Sequence, residues 1–408
     1  MDAVLERCAG LDVHQETVVA CVLYGDINKK PKKEIKTFST TSNELFKLAT
    51  WLEEHNCTHV AMESSGVFWK PVWNILESFS FDLVLANAHH IKNIPGKKTD
   101  IKDAEWIAQL LRCGLIESSF VPPVEIRKLR DQTRYRKKLI QDAAQEKNRI
   151  HKILQDCNIK ITTYISDIFG VSGRNIIEAL INGEIITTTH LETMARGAVK
   201  NKIPQLIEAL NGNISRHHRE MIRYSWNHLL YLEKVIADID IAIEQSLIPY
   251  REEVELLDTI VGINVKAAAI ILAEIDSDMS VFPTDNHLSS WAGVSPGNNE
   301  SAGKKKRSRA TPGNKSLKSV LCECAWAASR SRDTRLSAYY WRLVKRLGKK
   351  KALIALAHLI LRIIYYVLST KTPYKELGPN YLKDKQKQKE QKLIRYLELN
   401  GYKVSKVS

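Results

Sequence analysis

Long apolar runs are scarce in these 408 residues. The longest, Ala352 to Leu368, spans 17 residues and contains His358 and Arg362. A bilayer span needs about 20 apolar residues, so this stretch is expected to be a buried helix, with no membrane partner. Cysteines are few and unpatterned. Of seven, only Cys322 and Cys324 are close, and a C-x-C pair matches no common zinc spacing. Free thiols without a signal-like leader argue against a disulfide scaffold and point to a reducing cytosol. No Walker-type glycine loop is present, so nucleotide hydrolysis is not expected to drive the chemistry.

Positive charge is abundant and unevenly placed. The formal net charge is +15. Residues 1–120 hold 13 Lys and Arg against 16 Asp and Glu, whereas the rest of the chain holds 48 against 30. An acidic module joined to a basic remainder suits an enzyme that grips a polyanion with one part and cuts it with another. Lysines that only solvate a surface would give the same composition.

The acidic module carries the main chemical signal. Asp12 lies in the apolar run Cys8-Ala9-Gly10-Leu11-Asp12-Val13, and Glu63 ends the run Val60-Ala61-Met62-Glu63. Asp100 and Asp103 open a helical pattern that continues through Trp106 and Ile107. Acids in the order Asp, Glu, Asp-x-x-Asp form a set able to clamp two Mg²⁺ ions about 3.5–4 Å apart and polarise a phosphodiester. Residues 7–39 parse as three strands. A helix over 42–54, a strand ending at Glu63, a helix near 67–78, a strand over 82–86 and a helix over 99–113 follow, with Gly114 placed to end the last. This order predicts an α/β RNase H-like domain over residues 1–121. Asp100 and Asp103 also have a plainer reading as a helix cap and a first-turn acid. Glu63 reads equally as an ordinary strand end. Asp12 is harder to explain away, because an acid between Leu11 and Val13 in a central strand is costly without a partner.

After Pro122-Pro123 the pattern becomes helical. Val124 to Asp156 and Ser215 to Leu247 read as two long amphipathic helices, the second with Leu229, Leu232, Ile236, Ile239 and Ile243 in heptad spacing. They predict an antiparallel coiled-coil arm within a helical region over 122–250, although Arg136 and Lys147 interrupt the first stripe. Arg127, Lys128, Arg130, Arg134, Lys137 and Lys138 form a density of charge able to hold a phosphate backbone. A mainly α C-terminal domain over 251–375 follows. Its Leu257 to Ile263 and Ala267 to Ile275 read as a helix-hairpin-helix with Gly262 at the turn. Next comes a loop from Trp291 to Lys315 containing Ser301, Lys304, Lys305, Lys306, Arg307, Arg309 and Lys315; residues 301–318 hold seven Lys and Arg and no acid. Such a loop permits a serine nucleophile acting on a held phosphate, but on residue chemistry alone its composition favours a passive nucleic-acid contact. Residues 376–408, rich in Lys and Gln, read as a basic tail, either an exposed helix or disordered.

Gly10-Leu11-Asp12-Val13-His14, Met62-Glu63-Ser64-Ser65-Gly66 and Lys98-Thr99-Asp100-Ile101-Lys102-Asp103 resemble the DEDD transposases of insertion sequences. The Trp291-Ala292-Gly293 to Lys304 segment and Pro312-Gly313-Asn314-Lys315 resemble the second domain of that family. The likeness runs almost the length of the chain, in order. It implies a Holliday-junction-resolvase-like domain coupled through a coiled coil to a transposase domain. It implies Asp12, Glu63, Asp100 and Asp103 as metal-binding acids with Mg²⁺ as cofactor, and Ser301 as the serine that joins covalently to DNA. It also implies DNA (element ends and target) and a structured guide RNA as partners. A homo-oligomer, dimer or tetramer, is expected. The sequence departs from the family where Ala302-Gly303 replaces a double glycine, and Ser295 and Ser308 are rival nucleophiles. A metal-dependent structure-selective nuclease without a covalent intermediate, and an RNA-binding protein with an inactive nuclease fold, are the competing readings.

Overall fold

The computed structural model describes residues 2–64, 66–87, 91, 100–296, 300–301, 304–305 and 313–404. It divides into two compact units, Met1–Val121 and Pro122–Ser408, at the Pro122-Pro123 pair.

The first unit is built on one mixed sheet. Strands β1 (Arg7–Val13), β2 (Thr17–Tyr24) and β3 (Lys32–Ser39) form an antiparallel meander. Helix α1 (Ser42–Glu54) leads to β4 (His59–Glu63), which pairs parallel with β1. Helix α2 (Trp69–Leu76) leads to β5 (Asp82–Ala86), parallel to β4, and α3 (Asp100–Arg112) follows. The resulting order, β3-β2-β1-β4-β5, fits an RNase H-like domain. Strand alternation sorts β1 into two faces. Ala9, Leu11 and Val13 pack with Leu45, Leu48, Leu52, Val72 and Leu76 beneath α1 and α2. On the opposite face Cys8 packs with Ala61, Ala86, Ala104, Ile107 and Ala108, so α3 covers the side that Asp12 shares. Each fully buried aliphatic side chain contributes about 1.5–3 kcal/mol to this sandwich. Arg112, 5% exposed, closes the far end of α3 by donating to the carbonyls of Leu5, Gly25 and Asp26.

The second unit is helical. Its elements are α4 (Val124–Asp156), α5 (Val171–Asn182), α6 (Thr188–Met194), α7 (Ile203–Ala209), α8 (Arg216–Ser246), α9 (Arg251–Asp258), α10 (Val265–Ile275) and α11 (Asp285–Trp291). A two-stranded hairpin follows, β6 (Glu300–Ser301) with β7 (Lys304–Lys305), and then α12 (Lys315–Arg330), α13 (Arg335–Leu347), α14 (Lys349–Thr370) and α15 (Tyr381–Leu399). Helices α4 and α8 pair antiparallel. Gln132 meets Ser246, Arg136 pairs with Asp240, Glu146 meets His228 at 2.9 Å, and Asp156 meets His218 at 3.3 Å. Between these contacts Leu139, Ala143, Ile150 and Leu154 pack in one core with Ile222, Trp226, Leu229 and Leu232. The two residues that interrupt the apolar stripe of α4 have polar partners: Arg136 takes Asp240, and Lys147 lies 3.7 Å from Glu233. Helices α5, α6 and α7 fill the insertion between the long helices and share their core.

Both sides of residue 250 belong to the one compact unit. Arg130 and Arg134 of α4 reach the end of α10, so the two halves are bonded through buried charge. Helix α14 is long and apolar enough to cross a bilayer by length and composition. Its Ala352, Leu356, Ala357, Ile360, Leu361 and Ile364 are nevertheless buried within the unit, and Arg362 pairs with Asp285. Exposed residues dominate α15.

Leu232 is 4% exposed at the seam of α4 and α8, with Ile239 packed beside it. Changing both to Asp buries charge without a partner and is expected to cost at least about 3–5 kcal/mol. Denaturant unfolding followed by helicity measures this; a midpoint equal to wild type would show that the seam is not what holds the two helices together.

Candidate active site

Position 10 sets the geometry of the acids. A Cβ on Gly10 would lie 2.3 Å from the carbonyl oxygen of Ala104 and 2.3 Å from the amide nitrogen of Ala108. Only glycine leaves room for the backbone of α3 to lie directly on β1. Cys8 Sγ donates to the carbonyl of Ala108 at 3.4 Å, so α3 runs back along the strand: Ala108 near Cys8, Ala104 over Gly10. Its first turn, with Asp103, is therefore level with Asp12. Leu11 pairs with Met62 in the parallel ladder, which sets Glu63 beside Asp12 on the neighbouring strand and the same face.

The electrostatics agree. Burial pushes the Asp12 carboxyl above its ordinary range; His14 opposes the shift, and the charges of Asp103 and Glu63 add to it. His14 Nε2 lies 3.1 Å from Asp12 Oδ2. Asp103 and Glu63, both predicted from the sequence, thus lie within electrostatic reach of Asp12. The backbone of Asp100 begins α3, and its side chain lies outside the described residues. Among the described residues no three His, Cys, Asp or Glu side chains form a ready cation cluster. The donor set is all carboxylate oxygen, which suits a hard divalent cation, and such an ion would relieve the repulsion felt by Asp12. Asp12, Glu63 and Asp103 are the residues that would hold it.

The serine loop has a different foundation. Ser301 lies in β6, its backbone in register with Lys304, and its side chain lies outside the described residues, as do those of Lys304 and Lys305. Lys306, Arg307 and Arg309 also fall outside them. The stems of the loop are closely joined. A Cβ on Gly313 would stand 2.3 Å from the Gly293 nitrogen, and Lys318 Nζ donates to the Gly293 carbonyl at 2.9 Å. Asn314 caps α12 by accepting from Ser316 and Leu317, and its Nδ2 donates to Glu274 at 2.6 Å. Glu274 is fully buried and takes two 2.8 Å hydrogen bonds from Arg134. Burial alone would raise its carboxyl, but the bonds from Arg134 and Asn314 and the guanidinium charges bring it below its usual value.

This arrangement revises the view of the α4 cations. Arg130 donates to the carbonyls of Ala273 and Glu274, and burial draws it down to about 10; Arg134 grips Glu274. Both guanidiniums serve the fold. Lys137 bonds Ser319, Lys138 lies 3.1 Å from Asp142, Lys128 lies 2.9 Å from Glu125, and Arg127 donates to the Pro122 carbonyl. Lys315 is exposed at the start of α12. Gly262, at the α9–α10 turn, has φ +92° and no room for a Cβ beside the Cys324 carbonyl at 2.5 Å, which gives it a packing role as well as a turn role. Sequence reasoning missed Glu274, although a lone acid in the apolar run Ala267 to Ile275 signals a buried partner.

The Asp12 shift has a consequence for stability. The folded state holds this proton more tightly than the unfolded chain, so ionisation removes stability as pH rises through the folded pKa. In metal-free buffer at neutral pH, Asp12→Asn is expected to raise the melting temperature of the first unit. The gain should fade as pH drops into the acid range, where the wild-type carboxyl is protonated. A divalent cation should stabilise the wild type but not the variant. A variant less stable than wild type in chelator, with no cation effect on either protein, would remove the repulsion argument.

Comparison with known families is consistent with both halves of this picture. The profile of DEDD transposases of the IS110 type matches residues 9–159, and that of the transposase IS116/IS110/IS902 family matches residues 254–341. No curated protein matches the chain. The first match begins in β1 and contains Asp12, Glu63, Asp100 and Asp103; the second runs from α9 into α13 and contains Glu274, Ser301 and Asn314. With the two matches in this order, and together covering more than half of its length, the chain belongs to the IS110 family of transposases, enzymes that act on DNA.

Proposed function

We propose that this transposase cuts and rejoins DNA by a covalent serine route at a composite site of Asp12, Glu63, Asp100, Asp103 and Ser301. The observation that supports the reading is the close packing of α3 on β1 at Gly10, which brings the charge of Asp103, like that of Glu63 on the neighbouring strand, to bear on Asp12. Bound by these acids, Mg²⁺ supplies Lewis-acid polarisation of the scissile phosphate. The Ser301 hydroxyl gives up its proton as its oxygen bonds to phosphorus, and the bond to the leaving sugar oxygen breaks, with that oxygen taking a proton. In the reverse step a sugar hydroxyl of the partner strand attacks phosphorus and releases Ser301 with its proton restored. The number of phosphodiester bonds is unchanged, so no nucleotide cofactor is needed.

The acids and the serine belong to different units of the chain, and a homo-oligomer, dimer or tetramer, supplies them to one another. A structured guide RNA is the second nucleic-acid partner, which accords with the positive excess outside residues 1–120. Lys304, Lys305, Lys306, Arg307, Arg309 and Lys315 neutralise phosphates near the serine.

Asp103→Asn is expected to lower strand cleavage on the order of a hundred- to a thousandfold while leaving nucleic-acid binding within a few-fold of wild type. Activity close to wild type would show that α3 contributes no ligand.

Ser301→Ala is expected to abolish recombination and any protein–DNA adduct in a folded protein that still binds DNA. Mass spectrometry of an adduct trapped on a suicide substrate should place the nucleotide on Ser301. A nucleotide on Ser295 or Ser308 would move the nucleophile. Active cleavage with no adduct would favour hydrolysis by water.

A further inference from the structure

The corner formed by the end of α12, the outer face of α13 and the start of α14 carries a charge concentration that the site above does not use. Residues 330–351 contain nine Lys and Arg and a single acid, Asp333. Helix α13 buries Leu336, Tyr340 and Leu343, which turns Trp341, Arg342, Lys345 and Arg346 to solvent. Lys349, Lys350 and Lys351 follow at once in the first turn of α14, all exposed. Cations at a helix start oppose the macrodipole and weaken the helix, so their presence there calls for an external anion. Among the described residues none of these seven side chains except Trp341 and Arg342 has a polar or aromatic partner, and Arg342 only leans over Tyr339 at 5.6 Å.

The aromatic residues decide what kind of polyanion fits. Trp341 is 52% exposed, yet its indole N–H is already bonded to the Ser329 carbonyl at 3.2 Å. Its ring is therefore held in place, half-exposed, with its one donor already used. Trp326, one turn before Ser329 on α12, is 44% exposed with Arg330 stacked over it at 4.2 Å. A fixed indole beside unpaired cations recognises the face of a nucleobase. Duplex DNA hides base faces inside its own stack, whereas an unpaired strand presents them.

We infer that this corner is a binding surface for single-stranded DNA, with a base stacked on Trp341 and the adjoining phosphates on Arg342, Lys345 and the lysines at 349–351. Strand exchange by a DNA-acting enzyme leaves such a strand displaced. The inference rests on the family membership alone and is independent of which serine, if any, attacks phosphorus.

The test is equilibrium binding of the full-length, nuclease-treated protein to a 2-aminopurine-labelled DNA oligonucleotide. Its duplex and an RNA of the same sequence are run in parallel. Trp341→Ala is expected to weaken single-strand binding about five- to hundredfold, with duplex binding within twofold and Trp341→Phe recovering most of the loss. Lys349, Lys350 and Lys351 changed together to Ala should flatten the slope of log K against log salt on the single strand by about 2. Arg342→Glu with Lys345→Glu, both exposed, repeats the test should Trp341→Ala misfold. Equal losses on single strand and duplex would overturn the stacking, and no loss with any variant would overturn the site. A Trp341 dependence confined to the RNA would overturn the assignment to DNA.

Discussion

A carboxylate can be buried only if something balances its charge, and the protein meets that constraint in two ways. Glu274 is balanced from within: two guanidiniums and an amide close around it, and α4, α10 and the foot of the serine loop are fixed to one another as a result. Asp12 is surrounded by further acid, and the one described side chain that opposes its charge through a hydrogen bond is the imidazole of His14. The first arrangement is complete and structural. The second is electrostatically in debt, and such imbalance marks a place where chemistry is done.

Backbone contact gives both arrangements their accuracy. Gly10 lets α3 rest on β1 with no side chain between, so the separation of Asp103 from Asp12 depends on main-chain atoms rather than on rotamers. Gly313 against Gly293 does the same for the loop stems. Main-chain packing of this kind has little freedom to relax, which is what a site that positions phosphate needs.

Local periodicity made much of this legible in the sequence. The helices at 42–54 and 124–156 and the strand at 82–86 carry their own hydrophobic pattern and turn signals, and they form with those bounds. Asp12 stood out because apolar neighbours surround it. The roles of Arg130 and Arg134 could not be read locally, because their partner Glu274 is 140 or more residues away and a guanidinium paired in the fold has the same neighbours in sequence as one waiting for phosphate. The side chains of Ser301 and Asp100 lie outside the described residues, so the structure adds only their backbone placement to what the motifs imply.

The insertion between the long helices begins and ends at one point. The Asn213 amide donates to the Cys157 carbonyl at 2.9 Å, and the Lys160 amide donates to that of Ala209 at 2.9 Å. For an unfolded chain, joining Arg136 to Asp240 means closing a loop of 104 residues. Once α5, α6 and α7 have collapsed and brought residues 157 and 213 together, the same pairing needs only the closing of a helical hairpin, at a much smaller loss of chain entropy. The insertion thus gives two helices distant in sequence the folding topology of near neighbours.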